Sequence, residues 1–231
     1  HFPVFIDNMM NLEYLYWATG QFKKPAYANA ANTHALTTIK NHFRKDYSSY
    51  HVIDYDAKTG NVLAKRTHQG VTDESAWARG QAWALYGYAM CNENAKNATF
   101  LAQAENIAKF IMNHPRMPKD KVPVWDFDVH NALDVEEKAP RDASAAAVIA
   151  SALLNLSTQV KDGQKYFKYA EDILKSLSSD AYLAKPGENN FFILKHSVGA
   201  FLYNSEIDTP LDYADYYYLE ALKRYAAITK L

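Results

Sequence analysis

An all-α fold of antiparallel helical hairpins is predicted by three observations on the 231-residue chain. Apolar residues recur at helical spacing through most of it, strand-like alternation is confined to short stretches, and Pro, Gly, Asn and Asp punctuate the joints. About seven helices and a small β-hairpin result. No low-complexity linker divides them, so a single domain spans residues 1–231. The helix-pair spacing is solenoid-like without a strict repeat. That suits part of a toroid of hairpins better than a four-helix bundle, and seven helices are too few to close a ring of twelve.

The elements follow in chain order. Asp7 and Asn8 are start signals for a helix through Trp17, with Leu12, Leu15 and Tyr16 on one side and Gly20 near its stop. Pro25 opens a second helix to about Phe43. The runs 51–55 and 61–65 flank a Gly-closed turn and read as a hairpin. Thr72 or Asp73 caps a third helix from Glu74 to about Cys91, and Thr99–Asn113 reads as a fourth. Pro115, Pro118 and Pro123 mark a long loop. Asp142 and Ser144 then start an Ala-rich helix through Leu156, whose small residues permit close helix contacts. Lys165–Leu177 and Leu211–Ile228 complete the helices, with 191–194 as a short strand before a turn at Gly199.

Composition narrows the function classes. Hydrophobic residues at 48% allow a sizeable core, and 25 basic against 26 acidic residues exclude the broad positive field of a nucleic-acid binder. The longest apolar runs, such as Ala145–Ala150, fall far short of the roughly 20 residues needed to cross a bilayer. The one cysteine, Cys91, excludes an internal disulfide and a Cys-cluster zinc site. The excess lies in aromatics, 14% of the chain. They serve either a core of large side chains or a cleft that stacks on flat ligands.

Asp7 has two readings. As an N-cap its carboxylate accepts backbone N–H bonds and its pKa is lowered; at an apolar pocket floor its pKa is raised and it donates a proton. Arg79 and Trp83 are four apart on a helix and share a face. Together they offer a fork for a carboxylate and a flat surface for a sugar ring, or else a stacked pair at the core edge. Gly80 inside that helix signals a close approach to the backbone. His51 opens the hairpin and gains interest only if the hairpin folds over the same mouth as Asp7. His34 and His42, eight apart on a polar helix face, do not suggest a metal. Asp126 and Asp128 lack an EF-hand setting. No phosphate loop, G-x-S-x-G elbow or H-E-x-x-H is present.

Several blocks resemble one family. Ile6-Asp7-Asn8-Met9-Met10-Asn11-Leu12 with Leu15-Tyr16-Trp17-Ala18, the stretch from Thr67 to Trp83, Pro140–Ala146, Lys195-His196-Ser197, Ser205–Asp208 and Tyr213–Leu222 are similar to the unsaturated glucuronyl hydrolases of glycoside hydrolase family 88, and lie in family order over nearly the whole chain. The resemblance implies an (α/α)6 barrel, here its C-terminal portion. It also implies removal of a 4,5-unsaturated glucuronic acid from the oligosaccharides that polysaccharide lyases release. An acidic side chain protonates C4 of the vinyl ether, water adds at C5, and the hemiketal expels the remaining sugar. Position by position, Asp7 matches the general acid/base and His51 an assisting histidine. Gln69 and Arg79 match polar substrate contacts, and Trp83 a stacking residue. Thr67, Ser197, Ala200 and, less closely, Lys65 fall among substrate-binding positions. The resemblance implies no metal or organic cofactor, and a bacterial periplasm or cytoplasm. Family members are longer and carry a second essential Asp upstream of anything in this chain. The expectation is therefore that a missing N-terminal half of the same barrel completes it, and that the chain alone has poor activity. An unsaturated rhamnogalacturonyl hydrolase and a non-catalytic carbohydrate-binding fragment are the alternatives.

Overall fold

A computed structural model describes residues 1–129 and 139–231. Among them are seven α-helices: α1 Asn8–Phe22, α2 Pro25–His42, α3 Ala78–Ala95, α4 Ala98–Asn113, α5 Ala143–Ser157, α6 Gln164–Leu177 and α7 Asp212–Thr229. They form two layers. Short joints fold α1 onto α2, α3 onto α4 and α5 onto α6. A second set of contacts runs α1 to α3, α3 to α5 and α5 to α7, so these four make an inner row. The row's interior members are buried almost from end to end: Ala78–Asn92 of α3 and Ala143–Leu156 of α5 are all buried. Alanine explains α5, because side chains of one carbon let helices close in on every face.

Two glycines seat α1 against α3. A Cβ on Gly87 would lie 2.5 Å from Met9 Cβ and 2.8 Å from its backbone, and one on Gly80 would lie 2.8 Å from the Trp77 ring and 3.2 Å from Ile6. The close approach expected at Gly80 is thus made by the chain itself.

Among the described residues, five strands form two sheets. β1 Phe2–Phe5, β2 Val52–Tyr55 and β3 Val62–Arg66 make an antiparallel sheet in that order, with a register shift at Asp54/Tyr55. The hairpin is where the sequence predicts it, and β1 is an addition that ties the entry of α1 to β2. β4 Ser197–Ala200 and β5 Ser205–Thr209 form the second sheet. This corrects the strand expected at 191–194 and the turn at Gly199. Asn189, Asn190 and Phe191 have φ of 55°, 52° and 69°, values that break a strand, so Asn189–Phe191 is a 3-10 turn and the strands form later.

The third helix also starts later than expected. Ala76 N–H bonds the Asp128 carboxylate, and Ala78 N–H bonds the Trp125 carbonyl. This pairing with the 124–128 segment draws residues 74–77 out of a helix. His42 is fully buried, not on a polar face. Among the described residues, no helix is long and apolar enough to cross a membrane.

Candidate active site

The inner row delivers four helix starts to one end of the molecule. Asp7 and Trp77 stand just ahead of α1 and α3, Asp142 caps α5 with its side chain, and Tyr213 lies in the first turn of α7. Contacts join them. The Arg79 guanidinium lies 4.7 Å over the Trp77 ring and 5.4 Å over Tyr213, and its Nη1 bonds the Asp142 carboxylate at 3.0 Å. The His51 ring sits 4.5 Å from Trp77. Unsatisfied N–H groups at helix starts favour negative charge nearby.

Asp7 does not cap in the usual sense. Its backbone is already helical (φ −55°, ψ −32°) and its side chain makes no cap hydrogen bond. Oδ2 is buried, has no hydrogen-bond partner, and lies 3.5 Å from His51 Nε2, which is likewise buried and without one. The side chain as a whole is 32% exposed, so the carboxyl is reached from its other side.

His51 is 4% exposed and held from behind. Its Nδ1 accepts the backbone N–H of His68 at 3.0 Å and of Gln69 at 3.1 Å. The turn carrying those amides is braced throughout. Thr67 N–H bonds the Asp73 carboxylate, Gly70 N–H bonds Thr67 Oγ1, and Val71 N–H and Ser75 Oγ both donate to Asp126. Burial pushes the Asp126 carboxyl up, against the pull of those donors. Asp126, an acidic residue without an EF-hand setting in the sequence, is the clamp of this turn. Among the described residues, no group of three or more His, Cys, Asp or Glu side chains is placed to hold a metal ion.

Arg79 is 4% exposed and tied within the chain. Besides Asp142 it donates to the carbonyls of Val198 and Gly199 and, through Nη2, to Gln69 Oε1 at 2.7 Å. A free fork for a sugar carboxylate is therefore not what the structure presents: Arg79 fastens α3, α5, β4 and the 67–70 turn to one another. It stacks on Trp77 rather than on Trp83. Trp83 is 6% exposed and packs on Tyr213 and Tyr217.

The remaining expected residues are spread around this end. Gln69 joins His51 to Arg79. Thr67 closes the turn with its hydroxyl. Ser197, in β4, is buried with an unpartnered hydroxyl, and Ala200 is half-buried at the strand's end. Lys65 reaches to the Asn41 carbonyl and over the Tyr50 ring. His68, which the sequence places just ahead of the third helix in the 67–83 block, and Tyr203, which no sequence signal marks, meet at the rim, with the Tyr203 hydroxyl 2.9 Å from His68 Nδ1. Trp77 and Asp142 were also missed as site residues. The sequence marks Asp142 as a helix start, the cue that could have flagged it, whereas the start at Trp77 depends on pairing with the distant 124–128 segment.

A groove of about 520 Å³ lies between α1, α3 and α7, lined by Met10, Asn11, Tyr14, Trp17, Tyr86 and Tyr213 among others. Met10, Asn11 and Tyr14 follow Asp7 at helical spacing, so Asp7 stands at the head of the α1 face that lines it.

No protein-family profile matches the chain. It is 52% identical over 223 residues to the unsaturated glucuronyl hydrolase of Formosa agariphila, covering 96% of this chain and 54% of that protein. A crystal structure of an unsaturated glucuronyl hydrolase specific for heparin superposes with a TM-score of 0.97 at 74% identity, covering 100% of this chain and 61% of the other. The chain belongs to the unsaturated glucuronyl hydrolase family. It spans little more than half the length of the curated relatives it matches. A further member, an aspartate-to-asparagine mutant of the Streptococcus agalactiae unsaturated glucuronyl hydrolase solved in complex with dGlcA-GalNAc6S, superposes with a TM-score of 0.82 at 30% identity over 96% of this chain and 58% of that one.

Proposed function

We propose that this chain carries the acid/base side of an unsaturated glucuronyl hydrolase site. The reaction removes a 4,5-unsaturated glucuronic acid from the non-reducing end of lyase-generated oligosaccharides of glycosaminoglycan type. One observation carries the reading: Asp7 stands at a helix start without acting as a cap, with one oxygen buried against His51 and the rest of the carboxyl open. Protonation of C4 by Asp7 leaves positive charge at C5, water adds there, and Asp7 recovers a proton from that water. One carboxyl thus serves as acid and then as base.

The frame suits an anionic sugar. Four helix starts lie at this end, and the half-buried Tyr213 ring supplies aromatic surface beside it. Residues 1–231 form one domain in this reading, the C-terminal part of an (α/α)6 barrel acting in the bacterial periplasm or cytoplasm. The aromatic groove between α1 and α7, where Tyr14, Trp17 and Tyr216 are each at least half exposed, is the side on which the N-terminal half of the barrel packs. An apolar patch of this kind marks an interface.

The full-length protein with Asp7→Asn tests the assignment. The near-UV absorbance of an unsaturated disaccharide should persist, kcat falling about 1000-fold or more while binding changes little. Turnover within tenfold of wild type would remove Asp7 from the role.

A further inference from the structure

We infer that His51 is a fixed hydrogen-bond donor to Asp7, and that the two Asp7 oxygens divide the work: Oδ2 accepts from His51 while Oδ1 exchanges the proton with substrate and water. The inference rests on the acid/base role proposed above for Asp7.

The histidine's tautomer follows from its surroundings. Two backbone N–H groups, from His68 and Gln69, point at Nδ1 from 3.0 and 3.1 Å. A nitrogen that accepts two N–H bonds offers them its lone pair and carries no hydrogen, so the ring hydrogen sits on Nε2. Those amides cannot turn away. Thr67 with Asp73, Gly70 with Thr67, and Val71 with Asp126 hold the turn on both sides of them. Gln69 is held a second time through its side chain by Arg79. The ring itself is wedged against Trp77 at 4.5 Å and Phe5 at 5.4 Å.

Nε2–H then has the Asp7 carboxyl to serve. It faces Asp7 Oδ2 across 3.5 Å, and both atoms are buried with no other partner. A separation that long before substrate binds is ordinary for a catalytic contact. The consequence falls on the carboxyl. An oxygen turned into the protein toward an N–H is an acceptor, so the proton to be delivered resides on Oδ1, the oxygen on the open side. As that proton passes to C4, negative charge appears on the carboxylate and the N–H bond to Oδ2 becomes charge-assisted and stronger. When water adds at C5, its proton returns to Oδ1. The vinyl ether gains one hydrogen at C4 and one hydroxyl at C5, Asp7 ends as it began, and His51 keeps its own hydrogen throughout. His51 is on this account a positioning residue.

Two measurements on the full-length protein decide it. Nitrogen-15 NMR of histidine-labelled protein at neutral pH should show His51 with hydrogen on Nε2 and an acceptor-type Nδ1. His51→Gln, whose side-chain amide brings an N–H close to the place of Nε2, should keep kcat within about tenfold, whereas His51→Leu loses about 100-fold with KM little changed. A hydrogen found on Nδ1, or a glutamine variant as impaired as the leucine one, overturns the inference. Failure of the underlying function reads differently, because Asp7→Asn would then still turn over. An inactive Asp7→Asn beside a hydrogen on Nδ1 sinks the division of labour alone.

Discussion

Two carboxylates stand at helix starts at the same end of the molecule and are treated in opposite ways. Asp142 at the head of α5 is fully buried and saturated: it accepts from Ser144 N–H, Ala145 N–H, Ser144 Oγ and Arg79. Asp7 at the head of α1 is partly open, makes no cap bond, and has a buried oxygen with nothing bonded to it. A carboxylate whose lone pairs are all engaged is a structural joint. One left partly open beside a fixed donor is accessible to a bound molecule. The contrast separates a joint of the frame from the carboxyl proposed for the chemistry, where residue type and helix position could not.

Removing the frame should show the larger effect on folding. Arg79→Ala leaves Asp142 buried without its charge partner and the Val198 and Gly199 carbonyls without a donor. Stability should fall by about 3–5 kcal/mol, read as a lower urea midpoint. The equivalent insult to the other limb, Asp7→Asn, should leave that midpoint almost unmoved. Equal losses would erase the distinction.

Acid probes a second buried group behind the hairpin. His42 is fully buried with Nε2 unpartnered, and burial pulls it from the ordinary 6.5 down to about 4. The unfolded chain therefore binds a proton that the folded chain refuses. Stability is complete above about pH 6.5 and declines as pH falls toward 4, by about 3 kcal/mol in all. Denaturant midpoints across that range should show the slope in the wild type and lose most of it in His42→Phe.

The smallest effect is steric. Gly87→Ala sets a methyl against Met9, and about 1–3 kcal/mol of stability should be lost as α1 is pushed off α3. Because α1 carries Asp7, kcat should drop along with it, whereas Arg79→Ala is expected to act chiefly on stability. An alanine variant with unchanged kcat would show that Asp7 is held by β1 and β2 rather than by helix packing.

Much of the fold was legible because helices announce themselves locally. The Pro25 start, the Asp142 cap and the hairpin at 51–66 each depend on neighbours within a few residues, and the structure has them. The misses share one cause. The late start of α3 depends on Trp125 and Asp128, some 50 residues away, and the strands at 197–209 depend on each other across a turn. Arg79 shows the same limit within the site. Its spacing to Trp83 suggested a shared face, but three of its partners lie beyond residue 140. Asp7 could be singled out in the sequence, but whether it capped its helix depended on side-chain geometry.

The distances along the chain that Arg79 bridges have a consequence for how the protein matures. Its contacts to Asp142, Val198 and Gly199 span 63, 119 and 120 residues. The helical hairpins can form one after another as the polypeptide leaves the ribosome, but this clasp closes only once residue 199 has emerged. Such long loops close slowly. The mouth is thus among the last regions to set during synthesis, and a nascent chain stalled before β4 would have well-formed hairpins around a loose, incompetent opening.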